Sequence, residues 1–400
     1  MPYAGIMIRN RNFICISTSE WGGNYAKTIV EIMSVLAREN KVIYVDYQFT
    51  WKDLFMGLLG RSHAPVSRML GFKKRLTTVY TGDNKPVLLL TPPPIFPVTF
   101  LPPGKLYNLF LRLNGGIIAR SARKAIKRNN MEEGLIHINA FNPAMGVVTI
   151  GQLKEKLMIY HCYDEIEAAV WLRKHGGYHE KELMKKADAV ITTSEGLFIK
   201  KSPLSKRCFL VKNAVNFDLF RQGLSSLSEK KGKVIGYIGS IDERLDYDLL
   251  DYLFTSLPDH SFEFVGRYDY EKGKKRLEKH GNVHLAGAKP VGELPGCLRK
   301  YVAGIIPFAL SDFNKGIYPL KINEYLAAGL PVVMTHFAIL DEFRNIAAVV
   351  GSKEEFKQKL LDLTGTDSPG KQQERQQFAA ANSWEARVEE ITKVINELEQ

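Results

Sequence analysis

The amino-acid sequence predicts an α/β protein made of two doubly wound units. Three observations carry this. The order strand, glycine turn, helix, strand appears near the start and again from Val234 onward. Its strands are short apolar runs of the kind that parallel sheets bury on both faces. Between the two patterns lies Leu224–Lys233, a polar stretch rich in Ser, Lys and Gly that reads as a linker. With 400 residues, 45% of them hydrophobic and 24% charged, the chain is long enough for two cores.

In the first half, Asn12–Ser17 is an apolar strand and Tyr25–Arg38 a helical pattern. Gly22 and Gly23 sit at the turn between them, where backbone N–H groups can approach a substrate or a phosphate. Glu20 lies beside them. The turn is neither GxGxxG nor a P-loop, which speaks against dinucleotide and ATP binding. Lys41–Asp46 and Val87–Leu90 are further strands. From Thr91 to Gly104 the chain is too rich in proline for a regular element, and it leaves Ile95, Phe96, Val98, Phe100 and Leu101 on a loop. A helical stretch from Lys105 follows, with Arg112, Arg120, Arg123, Lys124, Lys127 and Arg128 on one side. Gly134–Asn139, Lys156–His161, Ala189–Thr193 and Phe209–Lys212 complete the first set of strands. Asp164 and Glu165 come directly after one of them, at the carboxyl end where doubly wound sheets bind ligands. Asp164 equally suits a helix N-cap on the segment that follows. His137 and His161, at strand ends, read as structural.

In the second half, strands are expected at Val234–Ile238, Phe262–Val265, Val283–Leu285 and Ala303–Pro307, with helices at Tyr247–Ser256 and Leu294–Tyr301. Asn314–Thr335 is the most informative stretch. Pro319 suits a helix start, and Gly329 a left-handed helix end that Pro331 makes final. Ile322, Tyr325 and Leu326 share a core-facing side. Val332, Val333 and Met334 form a buried strand. Lys321 and Glu324, three residues apart, share one face near the helix N-terminus. An amine where the helix already favours anions, with a carboxylate close by for sugar hydroxyls, is the chemistry of a nucleotide-sugar site. The same pair also fits an ordinary amphipathic surface. The tail from Phe378 to Gln400 is an amphipathic helix.

Composition excludes several classes. No run of about 18 apolar residues can span a membrane, and the N-terminus carries no signal-peptide pattern. Cys15, Cys162, Cys208 and Cys297 have no ligand spacing, so a cytoplasmic protein without a metal site is expected. The net charge of +12 is uneven: residues 1–222 carry 32 Lys and Arg against 17 Asp and Glu, whereas residues 223–400 carry 23 against 26. Arg61–Arg128 holds 13 basic residues and one acid, Asp83. Such a region suits an anionic membrane surface, an acidic glycan or a nucleic acid, or it is a solvated face. No aromatic stacking surface or recognition helix for nucleic acid is visible, so none is expected as a partner.

Taken together, VIGYIGSIDERLDYDLL, FEFVGR, NVHLAGAKPVGELPGCLRKYVAGIIPF, YPLKINEYLAAGLPVV and NSWEARVEEI resemble, in order, the motifs of GT-B nucleotide-sugar glycosyltransferases. YHCYDE and AVITTSEGL resemble bacterial transferases of teichuronic acid and exopolysaccharide synthesis. More distantly, the chain is similar to the xanthan glucuronosyltransferase, through the Pro-x-Lys pattern. The resemblance implies two Rossmann-like domains facing a cleft. An acceptor domain would span 1–222 with a crossing helix at 379–400, and a donor domain 223–378. It further implies that Lys321 neutralises a diphosphate, Glu324 binds ribose, and Gly239 and Ser240 approach the phosphates with Arg244 nearby. Gly266 and Arg267 would line the nucleotide pocket, Ala288 to Val291 would cup the base, and Tyr318 would sit beside the sugar or phosphate. Gly316 departs from the pattern, since many retaining members carry a glutamate there.

The expected activity is transfer of a sugar from a UDP-linked donor to a lipid-linked glycan at the inner face of the membrane, with no metal and no further cofactor. Asp164 is the expected base, with Glu165 and Glu20 in reserve. The cleft is expected to close on substrate. A non-catalytic sugar-binding relative and a basic nucleic-acid-binding protein are the alternatives.

Overall fold

The computed structural model describes residues 7–23, 27–167, 172–227 and 233–400. The expected linker residues 228–232, the first residues of the helical pattern at 25–26 and part of the segment after Asp164, at 168–171, lie outside them. The chain divides into two compact units. Of the described residues, the first comprises 7–23, 27–167, 172–212 and 388–400; the second comprises 213–227 and 233–387.

The first unit holds one eight-stranded sheet. Its strands are β1 (Asn12–Ser17), β2 (Lys41–Val45), β3 (Leu76–Tyr80), β4 (Pro86–Leu90), β5 (Ile136–Ala140), β6 (Leu157–Cys162), β7 (Ala189–Thr192) and β8 (Cys208–Leu210). They lie in the order β3-β4-β2-β1-β5-β6-β7-β8. All pairs are parallel except β3 with β4. The order runs outward in both directions from the β1–β5 pair, whose last partners are Ser17 and Ala140. That pair is the switch point of the sheet. The central strands are fully buried, with Phe13, Ile14, Ile43, Tyr44 and Ile159 enclosed by flanking helices such as Lys105–Arg128.

The second unit holds β9 (Val234–Ile238), β10 (Ser261–Val265), β11 (Val283–Gly287), β12 (Tyr301–Ile306), β13 (Val332–Thr335) and β14 (Ala348–Val350), all parallel, in the order β11-β10-β9-β12-β13-β14. Here the switch point lies between β9 and β12. Helix Leu320–Ala327 packs Ile322, Tyr325 and Leu326 into the core, and Gly329 ends it at φ +69°.

The structure differs from the sequence reading in several elements. β3, β14 and a helix at Trp51–Leu58 were not expected. Tyr301 opens a strand, because its ring packs under β9, so the expected helix Leu294–Tyr301 stops at Leu298. The tail is two helices, Pro369–Ala381 and Trp384–Glu399. The second unit begins at Asn213 rather than at 223. Phe220 is buried in its core, and Asn213 Nδ2 donates to the Tyr318 carbonyl at 3.1 Å. The last helix joins the first unit from Val388, where Thr392 Oγ1 accepts from the Ile8 N–H at 3.2 Å and Glu399 pairs with Lys156 at 3.0 Å and with Arg11.

Arg375 secures the C-terminal end of helix Leu320–Ala327. Its Nε donates to the Gly329 carbonyl at 3.0 Å, and its guanidinium pairs with buried Asp367 at 2.5 Å. Replacing Arg375 with Ala leaves a buried carboxylate without its cation. A loss of about 3 kcal/mol is expected, read as a lower urea midpoint with an unchanged slope.

Candidate active site

The second unit brings Gly239, Gly266, Arg244 and Lys321 together beside the β9–β12 switch point. After β9 the chain turns at Gly239, φ +129°, whose N–H donates to the Val265 carbonyl at 2.9 Å. A Cβ at Gly239 would stand 2.9 Å from Lys321 Cε and 3.1 Å from its Nζ. A Cβ at Gly266 would stand 1.8 Å from the Gly239 carbonyl oxygen. The two glycines therefore lie back to back because there is no room for a side chain on either. Tyr237 donates its hydroxyl to the Ser240 carbonyl at 2.9 Å, and Tyr325 OH accepts from the Ile238 N–H at 2.8 Å. Both fix the turn from below.

Lys321 enters this turn from the first turn of helix Leu320–Ala327. It is 9% exposed. Its ammonium lies 4.6 Å from the Phe308 ring centroid and 5.0 Å from that of Tyr237. Among the described residues no hydrogen bond or ion pair holds it. Burial, followed by the nearby Arg244 charge, pushes its pKa from 10.5 down to about 7; Glu324 and Asp242 pull the other way. Pro319, at the N-cap, offers no side-chain cap, so the first-turn amides have no side-chain acceptor there. A buried ammonium beside a helix start without a side-chain cap has the chemistry to accept an anion.

Arg244 is engaged with Asp242, through Nε to Oδ1 at 2.9 Å and Nη2 to Oδ2 at 2.6 Å, and lies over Phe308. Asn314, fully buried, donates to the Arg244 and Ala309 carbonyls and holds this loop in place. Glu324 is buried one turn further along the helix. Arg267 pairs with Asp269 at 3.2 Å in a half-exposed position. Ala288 is exposed, and Val291 opens a short 3₁₀ turn. Tyr318 is a correction. Its ring packs on Phe343 at 5.5 Å, its hydroxyl accepts from Asn323 Nδ2 at 3.0 Å, and it is buried, so it is a core residue rather than a contact for sugar or phosphate.

In the first unit, the loop after β1 and the loop after β6 meet. Ser19 Oγ and Tyr163 OH are 3.2 Å apart. The Glu20–Gly23 turn is shaped by Lys27 Nζ, which donates to the Glu20 carbonyl at 2.7 Å and to that of Gly22. Asp46 Oδ1 accepts from the Trp21 N–H at 2.9 Å. Burial raises the pKa of Asp46. The sequence reading passed over this residue, although it occupies the carboxyl end of β2 just as Asp164 follows β6. Asp164 is half-buried, and its Oδ1 accepts from the Glu165 N–H at 2.9 Å. Among the described residues no helix starts on it.

Glu165 is a second correction. Its carboxylate pairs with Lys201 and with Lys200, each at 2.9 Å. Burial alone would raise its pKa, but the two lysines hold it below the ordinary value. Lys201 also pairs with Glu180 at 2.7 Å, and Tyr160 donates to Glu180 at 2.9 Å. Glu165 thus anchors its loop in a buried charge network and is a poor proton acceptor. Burial brings His161 down to about 4, so it is neutral near pH 7. Among the described residues no three His, Cys, Asp or Glu side chains are placed to hold a metal, and no helix is long and apolar enough to cross a membrane.

No protein-family model matches the chain. Solved structures match nearly its whole length. An apo structure of OtsA aligns with TM-score 0.67 over 97% of this chain and 99% of that one, at 12% identity. An α,α-trehalose 6-phosphate synthase from Burkholderia multivorans aligns at 0.64 over 97% and 98%, at 11% identity. The fold is GT-B. An α-glucosyltransferase solved with UDP-glucose and DNA shares it, at TM-score 0.59 over 98% and 99%, with 11% identity. Part of the chain is also similar in sequence to a curated protein, the putative teichuronic acid biosynthesis glycosyltransferase TuaH of Bacillus subtilis (strain 168). The two are 30% identical over 169 residues, 39% of this chain and 42% of the relative, so the match spans less than half the length of either protein.

The position of Lys321 predicts how stability depends on pH. Its folded pKa is depressed, so between about pH 7 and 10.5 the unfolded chain binds a proton that the folded chain lacks. Lys321 therefore makes stability rise with pH across this window, with a slope of up to about 1.4 kcal/mol per unit. Urea unfolding at pH 7, 8 and 9 should show this rise in the wild type and a flatter profile in Lys321→Met.

Proposed function

We propose that the protein is a glycosyltransferase that moves a sugar from a UDP-linked donor to a lipid-linked glycan, in the synthesis of a cell-surface polysaccharide. The observation that carries this reading is the buried ammonium of Lys321 poised over the Gly239 turn at the switch point of the second unit. A β-phosphate seated there supplies the negative charge that the site lacks. As the bond from sugar to phosphate breaks, charge accumulates on the leaving diphosphate. A fixed ammonium and the helix N-terminus favour that charge more than the ground state. Glu324 accepts from the ribose hydroxyls, and the backbone after β11, from Ala288 to Val291, holds the base. This charge set needs no divalent ion.

Asp164, following β6 in the first unit, takes the proton of the acceptor hydroxyl. The Glu165–Lys201–Glu180 network holds its loop in place. The similarity to a putative teichuronic acid glycosyltransferase and the UDP-glucose complex among proteins of the same fold support the choice of reaction and donor. The basic first unit supports an acceptor presented at the inner face of an anionic membrane.

Binding of UDP is expected to take up close to one proton at pH 9, because the diphosphate restores the charge of Lys321. Affinity should fall by about tenfold per unit above pH 7. Calorimetry in two buffers of different ionisation enthalpy reads both, and Lys321→Met should abolish the uptake and weaken UDP at pH 7. If the wild type binds UDP with no proton exchange, the phosphate does not sit on Lys321.

A panel of UDP-sugars with a lipid-linked acceptor tests the reaction itself. Asp164→Asn should keep UDP affinity and lose at least about a hundredfold in kcat, and EDTA should leave the wild-type rate unchanged. Full activity in the variant removes Asp164 from the mechanism. Binding of UDP without turnover of any donor makes the protein a sugar-binding relative.

A further inference from the structure

Helix Trp51–Leu58 in the first unit is inside out. A surface helix ordinarily turns its apolar side inward. Here Leu54 alone is buried, while Trp51, Phe55, Leu58 and the adjoining Leu59 are exposed, Phe55 to 61%. Their spacing puts all four within an arc of about 100° on the outer side. The helix is nevertheless well made. Thr50 Oγ1 accepts from the Asp53 N–H at 3.3 Å, and Asp53 Oδ2 accepts from the Thr50 N–H at 2.7 Å, a complete capping box. The outward stripe is therefore a property of a specified helix.

Helix Lys105–Arg128 repeats the pattern in its first half, where Leu106, Leu109 and Leu113 are exposed on one side with Lys105 and Arg112 beside them. One segment ties the two stripes together. The Trp51 N–H donates to the Ile95 carbonyl at 2.9 Å. Asn114 clamps the next residue, accepting from the Phe96 N–H at 2.8 Å and donating to its carbonyl at 2.9 Å. Of the five apolar residues expected on the proline-rich loop, Phe100 is exposed, Phe96, Val98 and Leu101 are half-buried, and Ile95 is buried. Beyond the first helix, Phe72 stands 83% exposed next to Lys73 and Lys74.

The charge around these stripes has one sign. Residues 51–128 contain fourteen Lys and Arg against Asp53 and Asp83. Asp53 is used by the cap, and Asp83 pairs with Arg38 at 2.5 Å. Exposed aromatic and leucine side chains with exposed Lys73, Lys74, Lys105 and Arg112 beside them in the chain fit the interface of an anionic bilayer. A nucleic acid would use the cations and leave Phe55 and Leu59 in water.

We propose that this face, carried by Trp51–Leu59, Phe72–Lys74 and the first half of helix Lys105–Arg128, docks the protein onto an anionic lipid surface, Phe55, Leu59 and Phe72 entering the interface. This identifies the membrane-contacting part of the function proposed above and rests on that reading only for its purpose.

Co-sedimentation with vesicles, without donor or acceptor, tests it separately from catalysis. Wild type should bind vesicles of 30% phosphatidylglycerol in phosphatidylcholine, bind pure phosphatidylcholine at least tenfold more weakly, and release in 0.5 M NaCl. Phe55→Ser/Leu59→Ser should lose at least tenfold in vesicle affinity with UDP affinity unchanged. Lys73→Glu/Lys74→Glu should lose comparably. Equal binding by wild type and the serine variant overturns the proposal, as does no binding of wild type to either vesicle. Two further outcomes overturn it: a wild-type dimer in sedimentation velocity that the serine variant dissolves, which makes the face a self-association surface, and competition by duplex DNA that depends on Lys73 and Lys74 but not on Phe55. A variant that binds UDP and turns over a soluble acceptor yet misses the vesicle confirms docking. Failure of turnover alone leaves the vesicle result intact.

Discussion

The ammonium of Lys321 imposes the strictest constraint on the second unit. It lies where a side chain at Gly239 would be, and Gly266 lacks a side chain because the Gly239 carbonyl fills that space. Three positions from three separate segments are thus defined by one small volume. The parallel order around β9 and β12 makes this possible, since it opens a gap at the carboxyl ends of the two strands and at no other pair. Tyr237 in β9 and Phe308 after β12 close the sides with rings, whose faces favour a cation but cannot neutralise it. The site holds its charge at the cost of a depressed pKa.

The other buried lysine shows why this arrangement points to a ligand. Lys201 is as enclosed as Lys321, but two carboxylates grip it and its pKa is raised despite burial. That lysine is structural, since its charge is answered within the chain and answers two others. Lys321 has aromatic rings, a neighbouring arginine already engaged by Asp242, and a glutamate one turn away on the same helix. Removing a buried cation from two carboxylates disrupts a fold. Removing one that no described carboxylate grips affects chiefly a ligand that would pair with it.

Much of the fold was legible because its signals are local. Gly329 and Pro331 mark the end of helix Leu320–Ala327, and the apolar run of β13 has few other readings. The placement of Lys321, Glu324 and Gly239 was legible for a related reason: the first two fall in the opening turns of a helix and the third directly after a strand. Glu165 and Tyr318 were misread because their roles depend on partners that spacing does not reveal. Glu165 is 36 residues from Lys201, and Tyr318 is claimed by Asn323 and by the Phe343 ring. β3 escaped because Leu76–Tyr80 is a half-exposed antiparallel edge without a buried run. Asp46 was seen only as the end of a strand, and the Trp21 amide that it holds shows its place in the loop.

Helix Trp51–Leu58 was missed for a more instructive reason. Its apolar residues recur at helical spacing, but of them the first unit buries Leu54 and leaves Trp51, Phe55 and Leu58 outside. Two levels of the sequence disagree there: the capping box specifies a helix, while the apolar stripe specifies burial that the first unit does not supply. A chain whose local signals otherwise agree with its fold departs from that agreement where something outside the fold completes it. Lys321 is the polar form of the same argument and Phe55 the apolar form. The first is a buried ammonium that no described residue holds by hydrogen bond or ion pair, and the second an apolar face without a core. Each defines by complement what is missing, an anion in one case and a negatively charged, greasy surface in the other. Both fit the proposed reading, in which a sugar passes from a soluble nucleotide to a lipid-borne acceptor.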